Sequence, residues 1–278
     1  FISSTSAITH IGAKPVFADV LNDQNIDPNQ IEKVITKKTK AIMPVHLTGR
    51  ISEMREILSI SKKHNIPIIE DAAQSIGSKY YNKASGSFGK IGCFSTHPLK
   101  NLNAIGDGGI LTTNDNRLYK AAKSMRNHGL ENRNIVKKFG YLSRMDVLQA
   151  AVLNYRIKNL KSVINTRRNN AKFYLSNLDK KNFRVIDEKK YQFNTYHTFV
   201  IQTDKRDMLR KYLNSKGIGT AIHYPIPIHL QPAAKFLGYK KGSFPVTEKQ
   251  SKQILTLPVH QNLKKQELYK IVELMNKF

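Results

Sequence analysis

The chain has 278 residues, 40% hydrophobic and 24% charged, enough for one large core or two unequal domains. No run approaches the roughly 20 apolar residues that cross a bilayer, so no membrane span is expected. One cysteine, Cys93, excludes a disulfide framework and any multi-cysteine zinc or iron–sulfur site, and no metal is expected. The formal net charge of +26 suits a polyanionic partner, yet the lysines are scattered (KKTKAI, SKKHN, LDKKNF) and carry no nucleic-acid-binding signature, so no nucleic acid is expected.

FISSTSAITH opens the chain without the basic and apolar regions of a secretory signal, which makes the cytoplasm the expected compartment. Phe1 at the start, where a methionine would stand, sets the expectation that an N-terminal part is absent. KPVFADV (14–20) reads as a buried strand. DPNQIEKVI (27–35) has an Asp cap and helical spacing, and KAIMPVHL (40–47) is again a strand. SEMREILSISKKHN (52–65) is an amphipathic helix with Met54, Ile57, Leu58 and Ser61 on one face. IPIIED (66–71) is an apolar run ending in two acids. GKIGCFS (89–95) and GGILTTND (108–115) are strands, and NRLYKAAKSMRNHG (116–129) is a helix closed by glycine. Alternating strands and helices predict an α/β fold over residues 1–145, a mainly parallel sheet sandwiched by helices.

Residues 145–178 form one long helical pattern, read as a helix linking two domains over 146–178. YHTFVIQT (196–203) and GTAIHY (219–224) read as strands around a helix at 204–217. A Pro-rich loop and two short helical patterns complete a smaller α+β domain over 179–278.

The chemistry concentrates in FSTHPLKNLNAIGDGG (94–109), where Lys100 stands in a polar loop ahead of three glycines. A Walker A loop needs its glycines before the lysine and a Ser or Thr after it; here Lys100 precedes Gly106, Gly108 and Gly109, and Asn101 follows. A dinucleotide fingerprint fails too, because GDGG leads into a strand. A lone loop lysine is ordinarily solvated. Against that, Lys100 lies just past a strand, at the end where active sites gather in open α/β sheets, and the glycines would let backbone approach a ligand closely. A lysine amine can condense with the aldehyde of pyridoxal phosphate, which requires a carboxylate for the pyridine nitrogen. Asp71, closing IPIIED, fits that requirement.

With IIEDAAQSIGSKY and CFSTHPLKNLNAIGDGG, the chain resembles the DegT-type (DegT/DnrJ/StrS) nucleotide-sugar aminotransferases, along essentially its whole length. AIMPVHLTG (41–49), SMRNHG (124–129), SRMDVLQAAVL (143–153) and GIGTAIHYPIPIHLQPA (217–233) share in it. The resemblance implies a fold-type I architecture and pyridoxal 5′-phosphate bound as a covalent Schiff base on Lys100, which also carries the proton. It implies that Asp71 pairs with the pyridine nitrogen, that Gln74 lies beside the ring hydroxyl, that Ser95 holds the phosphate and that Phe1 stacks on the ring. It further implies a homodimer with shared active sites. A Gly-Thr phosphate loop normally precedes the residue matching Phe1, and it is missing here. Many relatives have asparagine in place of Leu142, reaching the cofactor phosphate of the neighbouring subunit; Leu142 lacks that hydrogen bond, while Arg144 remains.

By the same resemblance the amino donor is glutamate, and the acceptor is a nucleotide-diphosphate keto-deoxysugar, most like a dTDP-3-keto-6-deoxyhexose. The product would enter amino-sugar biosynthesis for a surface glycan such as lipopolysaccharide O-antigen. HYPIPIHLQP (223–232) resembles the segment lining the sugar site, which makes His223, Tyr224 and His229 candidate contacts, with Arg126 and His128 in RNHG as further ones. The alternatives are a 4-keto-sugar aminotransferase and an inactive or regulatory protein on the same fold.

Overall fold

The computed structural model describes all 278 residues. Helix α1 (Ile2–His10) leads into an extended stretch whose only ladder contact is the bridge Val20↔Ile26. The strand expected at 14–20 does not form, because no strand lies beside it to share hydrogen bonds. Phe17 instead packs against Tyr239 and Phe244 near the far end of the chain, with ring centroids 5.5 and 6.2 Å apart. Helix α2 (Pro28–Val34) starts as the sequence predicts: Asp27 accepts the Asn29 amide at 2.9 Å, and proline takes the first helical position.

The segment 40–47 runs parallel to β1 (Ile69–Asp71) through four backbone hydrogen bonds of 2.9 Å, in which Ile42 donates to Pro67, Ile69 to Ile42, Asp71 to Pro44 and His46 to Asp71. Helix α3 (Met54–His64) connects the two and buries Met54 and Ile57 beneath them. It ends where Asn65 turns left-handed, with φ 51°. After a short hairpin, β2 (Lys79–Tyr80) and β3 (Lys83–Ala84), strand β4 (Ile91–Ser95) pairs in parallel with β1, placing Asp71 opposite Cys93. Strand β5 (Gly109–Thr112) closes this sheet antiparallel to β4, with Ser95 opposite Gly109. The first half is thus a mainly parallel sheet with one antiparallel edge.

Helix α4 (Asn116–Met125) is capped by the Asp115 carboxylate, which accepts from Arg117 and Leu118. The long helix expected after Asp146 is interrupted: α5 (Val147–Arg156) and α6 (Leu160–Asn177) are joined by a 3-10 turn, and Asn159 leaves helical backbone at φ −102° and ψ 0°. Two short strands follow, β6 (Arg184–Val185) and β7 (Gln192–Phe193), and β7 pairs back onto β2. Strand β8 (Phe199–Gln202) leads into α7 (Arg206–Ser215) and, further on, α8 (Pro245–Gln253), β9 (Ile254–Leu257) and α9 (Lys265–Lys277).

Strands β6, β8 and β9 form an antiparallel sheet in that order. GTAIHY, expected as a strand, contributes only the bridge Ala221↔Thr256, on the outer edge of β9. Leu268, Ile271, Val272 and Met275 recur at helical spacing on α9 and pack with Tyr174 of α6, Leu209 and Leu213 of α7, and Ile201, Leu255 and Leu257 of the sheet.

The first sheet is pinned by a buried carboxylate. Glu70 is fully buried and accepts the backbone amides of Gly86, Phe88 and Gly89 at 2.7, 2.6 and 2.7 Å, and pairs with His46 at 3.0 Å. Burial opposes its ionisation, but the His46 and amide hydrogen bonds outweigh burial and hold the carboxyl below the usual glutamate range. A carboxyl so depressed stabilises the fold above its unfolded pKa, and the stabilisation is lost as pH falls through the folded value. Glu70→Ala is expected to cost about 3–5 kcal/mol, because it leaves His46 and three amides buried without their partner. Urea unfolding checks this: the gap between parent and variant should be full at neutral pH and shrink under acid.

Candidate active site

Alternation along β1 sends neighbouring acids to opposite faces. Glu70 goes into the interior, and Asp71 goes to the open end of the sheet, where the chain turns into residues 72–78. Asp71 Oδ1 accepts the Ala73 amide at 3.1 Å, and Oδ2 accepts the Ser4 hydroxyl at 2.5 Å. From the adjacent strand β4 the chain enters the loop carrying Lys100. Ser95 ends that strand, and its Oγ accepts the His97 amide at 3.3 Å. The Lys100 amide then donates to the His97 carbonyl at 2.8 Å, which makes a tight turn.

This loop is stitched down by side-chain hydrogen bonds, most of them to or from residues well removed in sequence. Asn101 Nδ2 donates to the Thr195 carbonyl at 3.1 Å, and Asn103 Nδ2 to the Pro98 carbonyl at 2.6 Å. Gln149 Oε1 accepts the amides of Ile105 and Gly106 at 2.9 and 3.0 Å. Arg156 donates to the carbonyls of Asn103 and Ala104 at 2.9 and 3.3 Å. The glycines behind Lys100 serve this packing. A Cβ on Gly108 would lie 2.6 Å from Thr96 Oγ1, and one on Gly109 would lie 2.9 Å from the Phe94 carbonyl oxygen.

Lys100 feels the charge of Asp71. Burial lowers the Lys100 amine below the ordinary lysine range, and the Asp71 carboxylate opposes that shift. Tyr224 belongs to the same group. Burial raises its phenol, the facing Gln74 amide opposes this, and the Asp71 charge raises it further. The Tyr224 ring lies 5.1 Å from that of Phe1, and Gln74 Oε1 accepts the Thr48 amide at 2.7 Å. His223 Nδ1 is 2.9 Å from Thr256 Oγ1, and burial and then the Lys100 charge lower its pKa.

The structure adds a residue that sequence reasoning missed. His197 leads into β8, and its pKa is pushed down to about 3 by burial first and then by the positive charges of Lys100, Arg167, His223 and His97. Its Nδ1 is buried without a hydrogen-bond partner. Within YHTFVIQT nothing marks this imidazole: it reads as one polar position in a buried strand.

Four other sequence candidates do not join the group. His229 is buried, and its Nε2 is 2.9 Å from Glu248 Oε1 with its ring against Phe244 at 4.7 Å, so its imidazole is engaged in packing. Arg126 is the C-cap residue of α4, and its Nε donates to the Ser143 carbonyl at 3.3 Å. His128 holds a left-handed backbone at φ 60° in the exposed loop that follows, and Arg144 lies exposed at the end of that loop.

The site therefore brings together one desolvated amine, one carboxylate held by two donors, a polar amide and an aromatic ring. A model of the DegT/DnrJ/EryC1/StrS aminotransferase family matches residues 1–276. The chain belongs to that family. It is accordingly an aminotransferase of the pyridoxal-phosphate-dependent class. The chain is 40% identical to a pleiotropic regulatory protein of Geobacillus stearothermophilus, covering 100% of this chain and 76% of that one. It is 36% identical to the UDP-N-acetyl-3-dehydro-alpha-D-glucosamine 3-aminotransferase of Acidithiobacillus ferrooxidans, over 100% of this chain and 75% of the relative. Its fold superposes on DesV of S. venezuelae, solved in complex with a ketimine intermediate, with a TM-score of 0.97 at 34% identity, over 100% of this chain and 75% of that one. The fold class expected from the strand and helix pattern is the one these aminotransferases share.

In the cofactor-free protein, Lys100 is expected to lose its proton at lower pH than surface lysines. Asp71→Asn should lower that pH further, because the carboxylate that favours the ammonium is gone. The pH profile of trinitrobenzenesulfonate labelling, followed on the peptide containing Lys100, checks both; a Lys100 that labels like the surface lysines in both proteins contradicts the account.

Proposed function

We propose that the protein transfers the amino group of L-glutamate to the keto carbon of a nucleotide-diphosphate-linked deoxysugar, with pyridoxal 5′-phosphate held covalently through Lys100 Nζ. The observation that carries the reading is the desolvated Lys100 amine facing the Asp71 carboxylate from the end of the neighbouring strand. The residues present fit the cofactor. An acceptor-only carboxylate suits a protonated ring nitrogen, and the Phe1 ring suits the face of a cationic heterocycle. When bound, the cofactor supplies a sink for the electrons released at the carbon bearing the amino group.

The chain's own residues do the rest. Asp71 holds a proton on the ring nitrogen by ion pairing. Lys100, once free, takes and returns a proton at Nζ, and its lowered pKa raises the fraction present as a base near neutral pH. Gln74 is assigned to the ring hydroxyl and Ser95 to the phosphate. His223 and Tyr224 are assigned to the sugar, their neutral side chains being suited to hydroxyl groups.

The keto group is placed at position 3 of the sugar, and dTDP-3-keto-6-deoxyhexose is the first substrate to test. The UDP-sugar relative supports the position and makes UDP the competing nucleotide. The protein is further assigned to the cytoplasm, to amino-sugar biosynthesis for a surface glycan, and to a homodimer. The exposed apolar side chains of Phe139, Tyr141, Leu142, Val147 and Leu148 support the homodimer. Arg126, His128 and Arg144, on or beside that surface, are assigned to the neighbouring subunit's site. The regulatory relative favours a second reading, a regulatory protein on the same fold, which predicts cofactor binding without turnover.

The full chain, given glutamate and the 3-keto sugar, should yield 2-oxoglutarate and the 3-amino sugar. Borohydride should fix the cofactor on the peptide containing Lys100. Lys100→Ala should lower turnover by about 10³-fold or more, and Asp71→Asn should keep cofactor but lose most activity. Undiminished amino transfer by Lys100→Ala would sink the reading.

A further inference from the structure

Helix α1 carries a row of hydroxyls, and most of those that bond do so locally. Thr5 Oγ1 donates to the Phe1 carbonyl at 3.4 Å, and Thr9 Oγ1 to the Ser6 carbonyl at 2.9 Å. Ser4 differs: its Oγ leaves the helix and donates to Asp71 Oδ2, 67 residues away, at 2.5 Å. The remaining oxygen, Oδ1, takes the Ala73 amide at 3.1 Å. A carboxylate tied by one oxygen can still turn about its Cβ–Cγ bond. A second donor on the other oxygen, from a separate element, removes that freedom.

We propose that Ser4 is a positioning residue, whose hydroxyl fixes the plane of the Asp71 carboxylate toward the proton it holds on the cofactor's ring nitrogen. This rests on the role given to Asp71 under the proposed function. Without the Ser4 hydroxyl, Asp71 rotates toward water and the ring nitrogen is protonated for less of the time. A nearby positive charge disfavours a second one, so loss of the ring charge lets the nitrogen linking Lys100 to the cofactor keep its proton to higher pH. The visible absorption of bound cofactor reports that proton directly.

The test loads the full chain with pyridoxal phosphate and titrates its visible absorption with pH, beside measurement of cofactor affinity. Parent, Ser4→Ala, Ser4→Thr, Ser4→Val and Asp71→Asn are compared. Threonine and valine have the same shape and differ in the hydroxyl, so that pair stays informative if alanine disturbs α1. Ser4→Ala and Ser4→Val should move the titration upward, part of the way to Asp71→Asn, and weaken cofactor binding about tenfold, the loss of one hydrogen bond to a charged group. Ser4→Thr should restore the parent values. If both hydroxyl-free variants titrate with the parent while Asp71→Asn is shifted, the role of Ser4 falls and that of Asp71 stands. If Asp71→Asn itself leaves the titration unmoved, the reading of Asp71 falls and takes this one with it.

Discussion

The buried carboxylate of Glu70 is the constraint on which the rest depends. It draws three amides of the 86–89 turn and the His46 imidazole onto the underside of β1. Because side chains alternate along a strand, fixing Glu70 inward fixes Asp71 outward. A slip of one residue would exchange them and put the wrong acid at the open end. The 86–89 turn also precedes β4 directly, so the same carboxylate helps to set the register in which Asp71 stands opposite Cys93, two residues before Ser95. The meeting of Asp71 with Lys100 is therefore an outcome of strand register, reached before any ligand is considered.

The lysine loop depends on a second set of contacts, made across the molecule. Asn101 reaches the Thr195 carbonyl, and Thr195 Oγ1 lies 2.9 Å from Ser78 Oγ. Two residues on, Arg167 of α6 donates to the carbonyls of Tyr196 and His197 at 3.3 and 3.1 Å. Burial pushes that guanidinium down to about 10, and all its acceptors are neutral. The segment 195–198 is thus a seam between the lysine loop and α6, held by polar groups. His197 sits in this seam with an unpaired Nδ1 and feels the Lys100 charge.

What the sequence made legible follows from how local each signal is. The cap on α2 is visible because Asp27 bonds an amide two residues away. Asp71 is visible because it ends a recognisable strand, and Lys100 because it stands in the loop just past one. The strand at 254–257 was concealed, since ILTL follows directly on a helix and its partner β8 is more than fifty residues earlier. The opposite error occurs at 14–20, where strand-like composition meets no neighbouring strand, and at 219–224, where pairing stops at one bridge. Pairing is a non-local property, and composition alone cannot supply it.

The same distinction separates the site residues. His223 and His229 sit in one short motif and look alike in sequence. Yet His229 is consumed by Glu248, six residues beyond Gly242, whose amide the same carboxylate also accepts. Ser4 and His197 are the reverse case. Neither stands out among its neighbours, and each reaches the centre only because a distant element meets it there: β1 for Ser4, the lysine loop for His197. A motif marks the atoms that do chemistry. The groups that set the direction and charge of those atoms are ordinary residues, chosen by the fold's long-range contacts. At this site, the orientation of Asp71 depends on a serine in the first helix as much as on the strand that carries it.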